Sequence, residues 1–424
     1  MKPAQLKPGL AIIHSNQLES LADVVQYWLS EYPLPPLENE VFLVNNNGMG
    51  HWIKHSLAHN RALGIAAGID VVLPSSFIWR VYRQVLGEKI PPEQPLAKAS
   101  LVWRLYRLLP QLITEKKFRN LACFLADDQS ARKRYQLAEQ LADLFDQYQV
   151  YRSDWLALWA KGHAVLIDGH GVSQLMPEAQ RWQAWLWEAI LADLGEANSA
   201  VSSRASVHAE FMAKVDSSQP ILPKRVIVFG LSSLPQQSLE VLVKISKFCQ
   251  VILFVNNPCQ YYWADIIEDK ELLKAVHRRQ NLKCGTAQTL SQDDLHQHGN
   301  PLLAAWGKQG RDYIRLLDQF DEKSVFQDWG WPKDKIDLFE EYGQFGSRSL
   351  LQQLQQAILD LESLPEKTQF LVDADQSLAF HIAHSRQREV EILHDQLLAR
   401  FNAAEQAGQP LHPRDVIVMV PDIN

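Results

Sequence analysis

The amino-acid sequence predicts an α/β fold: a parallel-sheet domain with a large helical insertion, followed by the start of a second α/β domain. Three observations lead to this prediction. Short apolar runs alternate with amphipathic helical segments at the beginning of the chain, strand signals disappear over residues 76–194, and they return further on.

The first two strand–helix pairs are clear in the sequence. An apolar run at residues 9–14 predicts a buried strand, and a helical pattern at residues 18–29 follows it. A second run at residues 41–44 leads through a polar turn at 45–48 into a predicted helix at 49–60. Strands that alternate with helices are typical of a mostly parallel sheet.

The helical insertion is predicted from four segments with a 3.6-residue period, at residues 77–86, 101–109, 131–151 and 178–194. In the third segment, apolar side chains fall on one face, while Asp143 and Asp146 share an adjacent polar face. Five tryptophans follow it: Trp155, Trp159, Trp182, Trp185 and Trp187. Such rings can stack on unpaired bases, but their helical spacing favours packing in a core.

Strand signals return at residues 225–229 and 251–255, with a helical stretch at 236–248 between them. The first sheet is therefore predicted to resume, so that the insertion interrupts one domain. Residues 280–300 are polar and aperiodic, which predicts a surface loop, and residues 365–376 predict a connection between domains.

A third region is predicted to open a second α/β domain, with strands at residues 378–381 and 416–420 and a helix at 387–403. No helix follows to cover the last strand, as a parallel sheet requires, so we expect a fragment of a longer polypeptide. The predicted divisions are residues 1–75 and 206–363 for the sheet domain, 76–205 for the insertion and 364–424 for the truncated second domain.

Composition predicts a folded cytoplasmic protein. Hydrophobic residues make up 46% and charged residues 21% of the chain, near the average for globular proteins. The four cysteines have neither metal-ligand spacing nor the density of a disulfide framework, which fits a reducing compartment. We predict no signal peptide, no membrane span and no membrane partner.

The net charge of −7 argues against a protein that coats nucleic acid indiscriminately, because such binding depends on many Lys and Arg contacts to phosphates. A local basic channel is still possible. Short basic clusters occur at residues 116–119, 132–134 and 278–279. Runs of this kind are more often solvated helix faces.

The chain lacks the residues that nucleotide hydrolysis needs in this layout. A phosphate loop ends in Gly-Lys-Ser/Thr, yet the only Gly-Lys pair, Gly307 and Lys308, is followed by Gln309. The strand at 225–229 runs into an uncharged turn, so no carboxylate can hold Mg²⁺ there. We therefore predict no catalytic site and no cofactor in this chain. An active ATPase with a nucleotide site of another form is the alternative.

His51, His55 and His59 recur every four residues on one predicted helix, which places three imidazoles along one face. The spacing suggests zinc, and with it a metal-dependent hydrolase. However, the chain has no His-Glu-x-x-His motif, and one straight helix face cannot surround a tetrahedral ion. A polar helix face or a base-reading surface is the favoured interpretation, and we predict no metal site.

Several contiguous segments resemble one known family. They are residues 48–52 (GMGHW), 73–79 (LPSSFIW), 142–148 (ADLFDQY), 150–155 (VYRSDW), 257–263 (NPCQYYW), 299–308 (GNPLLAAWGK), 384–391 (HSRQREVE) and 414–420 (RDVIVMV). Matches of this length in consistent order along nearly the whole chain are more specific than a single short motif. The sequence is similar to the RecC family, the gamma subunits of RecBCD-type helicase-nucleases, also called exodeoxyribonuclease V.

The resemblance implies an inactive superfamily 1 helicase-like domain, with a degenerate P-loop NTPase-like sheet, and the start of a second such domain. In that family the partner subunits RecB and RecD use ATP and Mg²⁺, and RecB carries the nuclease. A family member would hold this heterotrimer together at double-stranded DNA ends and help to part the strands. It would scan single-stranded DNA for the Chi signal during double-strand-break repair and homologous recombination.

The resemblance also implies which residues line the Chi-reading channel. They correspond here to Leu73, Trp79, Asp143, Leu144, Asp146, Arg152 and, with looser local alignment, Arg204. Trp79 could stack a base, the arginines could hold phosphate or guanine, and the aspartates could accept from exocyclic amines. Leu144 equally fits a core stripe, and an Asp on a helix is usually just solvated.

Three further channel positions, commonly Gln, Thr and Gln in the family, are Asn45, Asn47 and His51 in this chain. Asn has a shorter reach than Gln, and neutral His offers one donor and one acceptor. These departures predict an altered or weakened signal preference. A structural assembly subunit without DNA contact and an active ATP-dependent helicase are the competing hypotheses.

Overall fold

The computed structural model contains two compact units, Met1–Glu341 with Ala357–Leu364, and Tyr342–Gln356 with Pro365–Asn424. Fourteen of its ranges are described: residues 6–61, 63–87, 90–92, 94–127, 131–167, 172–195, 204–218, 220–264, 300–321, 325, 329, 337–344, 348–362 and 375–420.

One parallel sheet organises the described part of the first unit. Its strands are β1 (Gly9–Ser15), β2 (Glu40–Leu43), β3 (Ile69–Val72), β6 (Arg225–Phe229), β7 (Gln250–Asn256) and the two-residue β8 (Asp337–Leu338). They lie in the order β3-β2-β6-β7-β1-β8, and every neighbouring pair is parallel. The predicted α/β class with a parallel sheet is confirmed.

The four central strands are apolar at most positions because both faces of the sheet are covered. Alternate side chains enter two different cores. Leu10, Ile12 and Val226 belong to one hydrophobic cluster, while Ile13 and Phe229 belong to another. The continuous apolar runs that predicted these strands follow from this two-sided burial.

Fourteen helices are defined within the described residues. They are α1 (Leu18–Glu31), α2 (Asn47–His59), α3 (Pro74–Leu86), α4 (Lys98–Leu112), α5 (Arg119–Leu125), α6 (Arg132–Tyr151), α7 (Ser153–Trp159), α8 (Trp182–Leu194), α9 (Arg204–Lys214), α10 (Gln236–Ile245), α11 (Pro301–Trp306), α12 (Lys308–Asp318), α13 (Leu350–Leu359) and α14 (Arg386–Gln406). Each helix predicted in the insertion has a counterpart here.

Helices α4 to α8 build the insertion around a hydrophobic core of its own. Trp159 and Trp187 are fully buried in it, and Trp155, Trp182 and Trp185 pack against it while partly buried. The interpretation of these five rings as packing residues is confirmed. A short antiparallel hairpin of β4 (Val165–Ile167) and β5 (Ser173–Leu175) also lies here, and the sequence did not predict it.

A buried polar network connects strands β2, β6 and β7 at the amino end of the sheet. Arg225, which is fully buried, donates to Glu40 at 2.7 Å, to Gln250 at 2.8 Å and to the Tyr32 carbonyl at 2.7 Å. Burial raises the pKa of the Glu40 carboxyl to about 7, and the positive charge of Arg225 opposes that rise. The network links three segments of chain that are distant in sequence.

In the second unit, the predicted helix is present as α14, but the two predicted strands are wrong. Residues 378–381 and 416–420 form no ladder within the described chain, although Val416 has an extended backbone. An extended segment becomes a strand only when a neighbour supplies hydrogen bonds, and apolar side chains such as Phe380 and Met419 are about 90% exposed here.

Some predictions fall outside the described residues. These are almost all of the surface loop at 280–300, most of the connection at 365–376, and the basic pair at 278–279. The domain divisions proposed from the sequence also stay predictions. Among the described residues, no helix is both long and apolar enough to cross a lipid bilayer.

Candidate functional site: a cavity at the carboxyl edge of the sheet

The main candidate site lies where strands β2, β3 and β6 end. From β2 the chain crosses to β3 on one side, and after the insertion it returns to β6 on the other side. Such a reversal opens a crevice at the carboxyl ends of parallel strands, which is where open α/β sheets bind ligands. Here the crevice is a cavity of about 330 Å³, which we call the carboxyl-edge cavity.

Five segments line this cavity. Asn45 lies just after β2, Leu73 precedes α3 and Trp79 lies within it, and Val150 and Tyr151 end α6. The other two segments are the first residue of α9 and the stretch from the end of β6 into the first turn of α10, contributing Arg204, Leu231, Ser233, Leu234, Pro235, Gln237 and Ser238. Four of the ten predicted site residues therefore meet here: Asn45, Leu73, Trp79 and Arg204.

Trp79 forms part of the cavity wall and is held firmly in place. Its side chain is only 8% exposed, and its indole nitrogen donates to the Pro91 carbonyl at 3.1 Å. The Trp79 and Tyr82 rings meet edge to face, with 6.2 Å between their centroids. A ring fixed in this way can contact a ligand with little loss of side-chain entropy.

Arg204 brings a positive charge to the same wall. Its guanidinium donates to Gln94 at 2.9 Å and to Asp146 on α6 at 3.3 Å. Burial lowers the pKa of Arg204, and the Asp146 carboxylate opposes that effect. Asp146 therefore acts on the cavity through Arg204, which it orients and partly neutralises.

Tyr82 also lines the cavity, and a chain of hydrogen bonds fixes its hydroxyl. This hydroxyl contacts Nδ1 of His208 at 2.9 Å, and Nε2 of His208 contacts the Glu240 carboxylate at 2.8 Å. Desolvation raises the pKa of the Tyr82 hydroxyl. A carboxylate at Nε2 favours the proton on that nitrogen, which leaves Nδ1 of neutral His208 as the acceptor.

Asp143 and Leu144 lie on α6 outside the cavity lining. Asp143 forms an ion pair with Lys98 at 2.7 Å, and this hydrogen bond raises the pKa of Lys98. Leu144 is half-exposed, whereas the next residue, Phe145, is fully buried in the core of the insertion. The core stripe of α6 therefore uses Phe145, so Leu144 stays accessible.

Arg152 is also outside the cavity lining, although it follows Tyr151 directly. Its guanidinium pairs with Asp154 at 2.9 Å, donates to the Ile167 carbonyl, and lies 3.8 Å from the Trp155 ring centroid. These contacts already use most of its donors. To bind a phosphate, Arg152 would have to exchange some of them.

Asn47 and His51 are exposed on the first turns of α2. The neighbouring Asn46 caps this helix, accepting from the Met49 backbone nitrogen at 2.9 Å. Further along, the His55 and His59 rings stack at 4.0 Å. In the described part of the chain, no three His, Cys, Asp or Glu side chains are arranged to hold a metal ion.

A second cavity, of about 400 Å³, lies beside the ends of β6 and β7, and we call it the β7 cavity. Aromatic and apolar side chains including Trp263, Trp306 and Tyr313 line it. The nearby turn after β1 is filled by protein contacts, because Asn16 both donates to and accepts from the Glu340 backbone, at 2.8 and 2.9 Å.

Comparison with known proteins identifies the family. The model of the RecC N-terminal domain family matches residues 10–361. The chain belongs to the RecC family. It is 37% identical over 443 residues to the RecBCD enzyme subunit RecC of Escherichia coli K12, and 36% identical over 446 residues to that of Haemophilus influenzae Rd. It is also 26% identical over 434 residues to the RecC of Mycolicibacterium smegmatis.

The three RecC alignments cover 97 to 98% of this chain but only 33 to 38% of the relatives. The chain thus spans about a third of the length of these RecC proteins. The activity of a whole RecC protein therefore cannot be assigned directly to this chain.

Resemblance to RecC did not point to every residue that lines the carboxyl-edge cavity. The loop between β6 and α10 was considered only because it lacks a carboxylate, yet this loop supplies Ser233 and the first turn of α10 supplies Gln237. Tyr82 was missed as well. Its position on the helix that carries Trp79, three residues later, is a signal that could have found it.

Proposed function

We propose that this chain is the N-terminal part of a DNA-binding subunit of a RecBCD-type helicase-nuclease, one without catalytic chemistry of its own. RecB and RecD are its proposed partners in a heterotrimer and use ATP and Mg²⁺. The subunit holds the complex at double-stranded DNA ends, and it scans single-stranded DNA for Chi during double-strand-break repair.

The observation that carries this proposal is the carboxyl-edge cavity. It combines a fixed aromatic ring, Trp79, with an exposed apolar side chain, Leu73, and a cationic one, Arg204. Asn45 adds an amide that is both donor and acceptor. An unpaired base needs this combination, because it offers a ring face for stacking and polar edges for recognition.

The sequence around the strand ends supports the proposed absence of catalysis, because residues that nucleotide hydrolysis requires are missing there. The sequence has no Gly-Lys-Ser/Thr segment, and β6 runs into Gly230, Leu231 and Ser232 without a carboxylate. We propose a helicase-like sheet that has kept its strand arrangement and lost the pocket for triphosphate. If purified protein without RecB and RecD bound and hydrolysed ATP with Mg²⁺, this part of the proposal would be wrong.

The experiment that tests DNA contact uses the full-length protein assembled with RecB and RecD. Photo-crosslinking to forked DNA should give adducts in peptides that contain Leu73 or Tyr151. The Leu73→Ala and Asn45→Ala variants should lower the yield of these adducts. Leu37→Ala is the matched control, because Leu37 is 98% exposed and lies outside the cavity lining.

Assembly with no adduct anywhere in this chain would instead support the competing hypothesis, a structural subunit that does not touch DNA. In that case the cavity residues would serve packing alone. Both outcomes are read from one preparation, because co-purification of RecB and RecD reports assembly and the adducts report DNA contact.

A further inference from the structure

Three aromatic side chains of the helical insertion contact one another at its surface, and a fourth, Phe124, contacts Lys133, which lies two residues before Tyr135 on α6. Trp103 and Tyr106 lie on α4, Phe124 on α5 and Tyr135 on α6. The Trp103 ring centroid is 5.8 Å from that of Tyr135 and 6.0 Å from that of Tyr106. We call these four residues the aromatic face.

The aromatic face is exposed, unlike the five tryptophans that fill the insertion core. Trp103 is 62% exposed, Phe124 49% and Tyr135 39%. Only Tyr106 packs partly against the core. Because the core of the insertion is filled without the other three rings, its packing does not explain why they are large and apolar.

Cations surround these rings. The Arg134 guanidinium lies 4.0 Å from the Tyr106 ring centroid, and the Lys133 ammonium lies 5.7 Å from that of Phe124. Arg132, in the same first turn of α6, is exposed. Arg104 and Arg107, which flank Trp103 and Tyr106 on α4, share Asp193 as a partner, and Lys133 pairs with Asp127.

Among the described residues, five cations thus border the aromatic face, and Asp127 and Asp193 form ion pairs with three of them, in a chain whose net charge is −7. Exposed rings between cations suit a ligand with aromatic faces on a polyanionic backbone, because bases stack on rings and phosphates bind Lys and Arg. A protein surface could use the rings, but it would need a matching excess of acidic groups.

We propose that the aromatic face is a second binding surface for single-stranded nucleic acid. It is separate from the carboxyl-edge cavity, because Tyr135 and Tyr151 lie near opposite ends of α6, about 24 Å apart along the helix axis. Binding at the aromatic face does not require that the carboxyl-edge cavity reads bases. Each of these two proposals can therefore be contradicted without affecting the other.

Hydroxyl-radical footprinting of the full-length protein assembled with RecB and RecD tests the proposal, with poly(dT) as the probe. Without DNA, Trp103 and Tyr135 should be oxidised, and poly(dT) should lower their oxidation several-fold. Tyr27 on α1 is the internal control, because it is 63% exposed and should be oxidised equally with and without DNA.

Two results would overturn the proposal. Protection of Trp103 before DNA is added would mean that protein covers the aromatic face. Equal oxidation of Trp103 with and without poly(dT) would mean that DNA does not reach it.

Charge variants test the role of the cations. Arg132→Gln combined with Arg134→Gln should remove most of the protection of Trp103 by poly(dT), because the rings remain while the phosphate contacts are lost. Lys244→Gln with Lys247→Gln removes the same charge from an ion-pair cluster around Asp216 and should leave the protection unchanged. Full protection in the arginine variant would contradict the proposed mode of binding.

Discussion

Arg225 shows how a single side chain can make the fold depend on pH. It is fully buried, and the Glu40 carboxylate at 2.7 Å is its acidic partner. Removing both groups from water has a cost that their attraction only partly offsets. Burial dominates at Glu40, so its carboxyl holds a proton more strongly in the folded than in the unfolded chain.

The folded protein should therefore become less stable as the pH rises from 4.5 to about 7, the ordinary and folded pKa values of Glu40. Between these two pH values the unfolded chain releases the Glu40 proton while the folded chain keeps it. Above about pH 7 the free energy of unfolding falls no further from this cause. The total decrease in the free energy of unfolding is about 3 kcal/mol. Urea unfolding at pH 5 and pH 8 should show it, and Glu40→Gln should remove most of it. An unchanged pH dependence in Glu40→Gln would exclude Glu40 as the cause.

His51 permits a second prediction at the same scale, for the proposed reading of single strands. It is exposed on α2 and is one of the predicted channel residues. His51→Ala in the assembled complex should change the relative affinity for labelled single strands of different sequence by about 1 kcal/mol or more. His55→Ala is the matched control, since His55 is exposed one turn later on the same helix. Identical preferences in wild type and His51→Ala would count against base reading at this position.

The roles of individual residues could be predicted only in part from the sequence. Helical spacing predicted that the tryptophans of the insertion pack, since periodicity reports burial. It could not show that Arg204 and Asp146 are paired, because they are distant in sequence and meet only through the fold. Nor could it show that Arg152 already has partners in Asp154, Ile167 and Trp155.

At the scale of elements, helix α2 packs closely on strand β3 through Gly50. A Cβ atom on Gly50 would lie 2.6 Å from Cγ1 of Val71, a distance that forces a shift. Gly50→Ala should lower the free energy of unfolding by up to about 2 kcal/mol, because overpacking outweighs the better helix propensity of Ala. In a Val71→Ala background, the same substitution should stabilise by up to about 1 kcal/mol. A destabilisation of equal size in both backgrounds would show that Val71 is not the obstacle.

Strands were predictable from the sequence where both faces of the sheet are buried. The runs of β1, β2, β6 and β7 are apolar at nearly every position, and each was predicted within one or two residues. Strand β3 was missed because its residues are all half-buried and include Asp70. The opposite error occurred at residues 378–381 and 416–420, where apolar composition is present but a pairing strand is not described.

At the scale of the whole molecule, the insertion and the sheet have separate hydrophobic cores. Trp159 is fully buried in the insertion, and its indole nitrogen donates to the Val165 carbonyl at 2.9 Å. Trp159→Ala should destabilise the insertion by about 3 to 5 kcal/mol. Hydrogen exchange should then speed up in α4 to α8 while β1 and β7 stay protected.

Phe254→Ala on β7 is the reciprocal variant, because Phe254 is 1% exposed in the core of the sheet domain. It should speed up exchange in β1 and β7 and spare the insertion. If either substitution accelerated exchange equally in both regions, the two cores would unfold as one cooperative unit.

The interruption of one sheet by a helical insertion was predictable, because strand signals stop and later resume. The order of the strands was not, since periodicity predicts a strand without naming its neighbours. That order decides where the carboxyl-edge cavity forms. For this reason the cavity could be anticipated only through resemblance to a family.

The pairing of β1 with β7 also has a consequence for biosynthesis. Gly9 is the partner of Gln250 and Ser15 that of Asn256, so β1 leaves the ribosome long before its partner β7. At a translation rate of about 5 to 20 residues per second, that delay lasts on the order of tens of seconds. A nascent chain in this interval carries an unpaired apolar strand, the kind of segment to which chaperones bind.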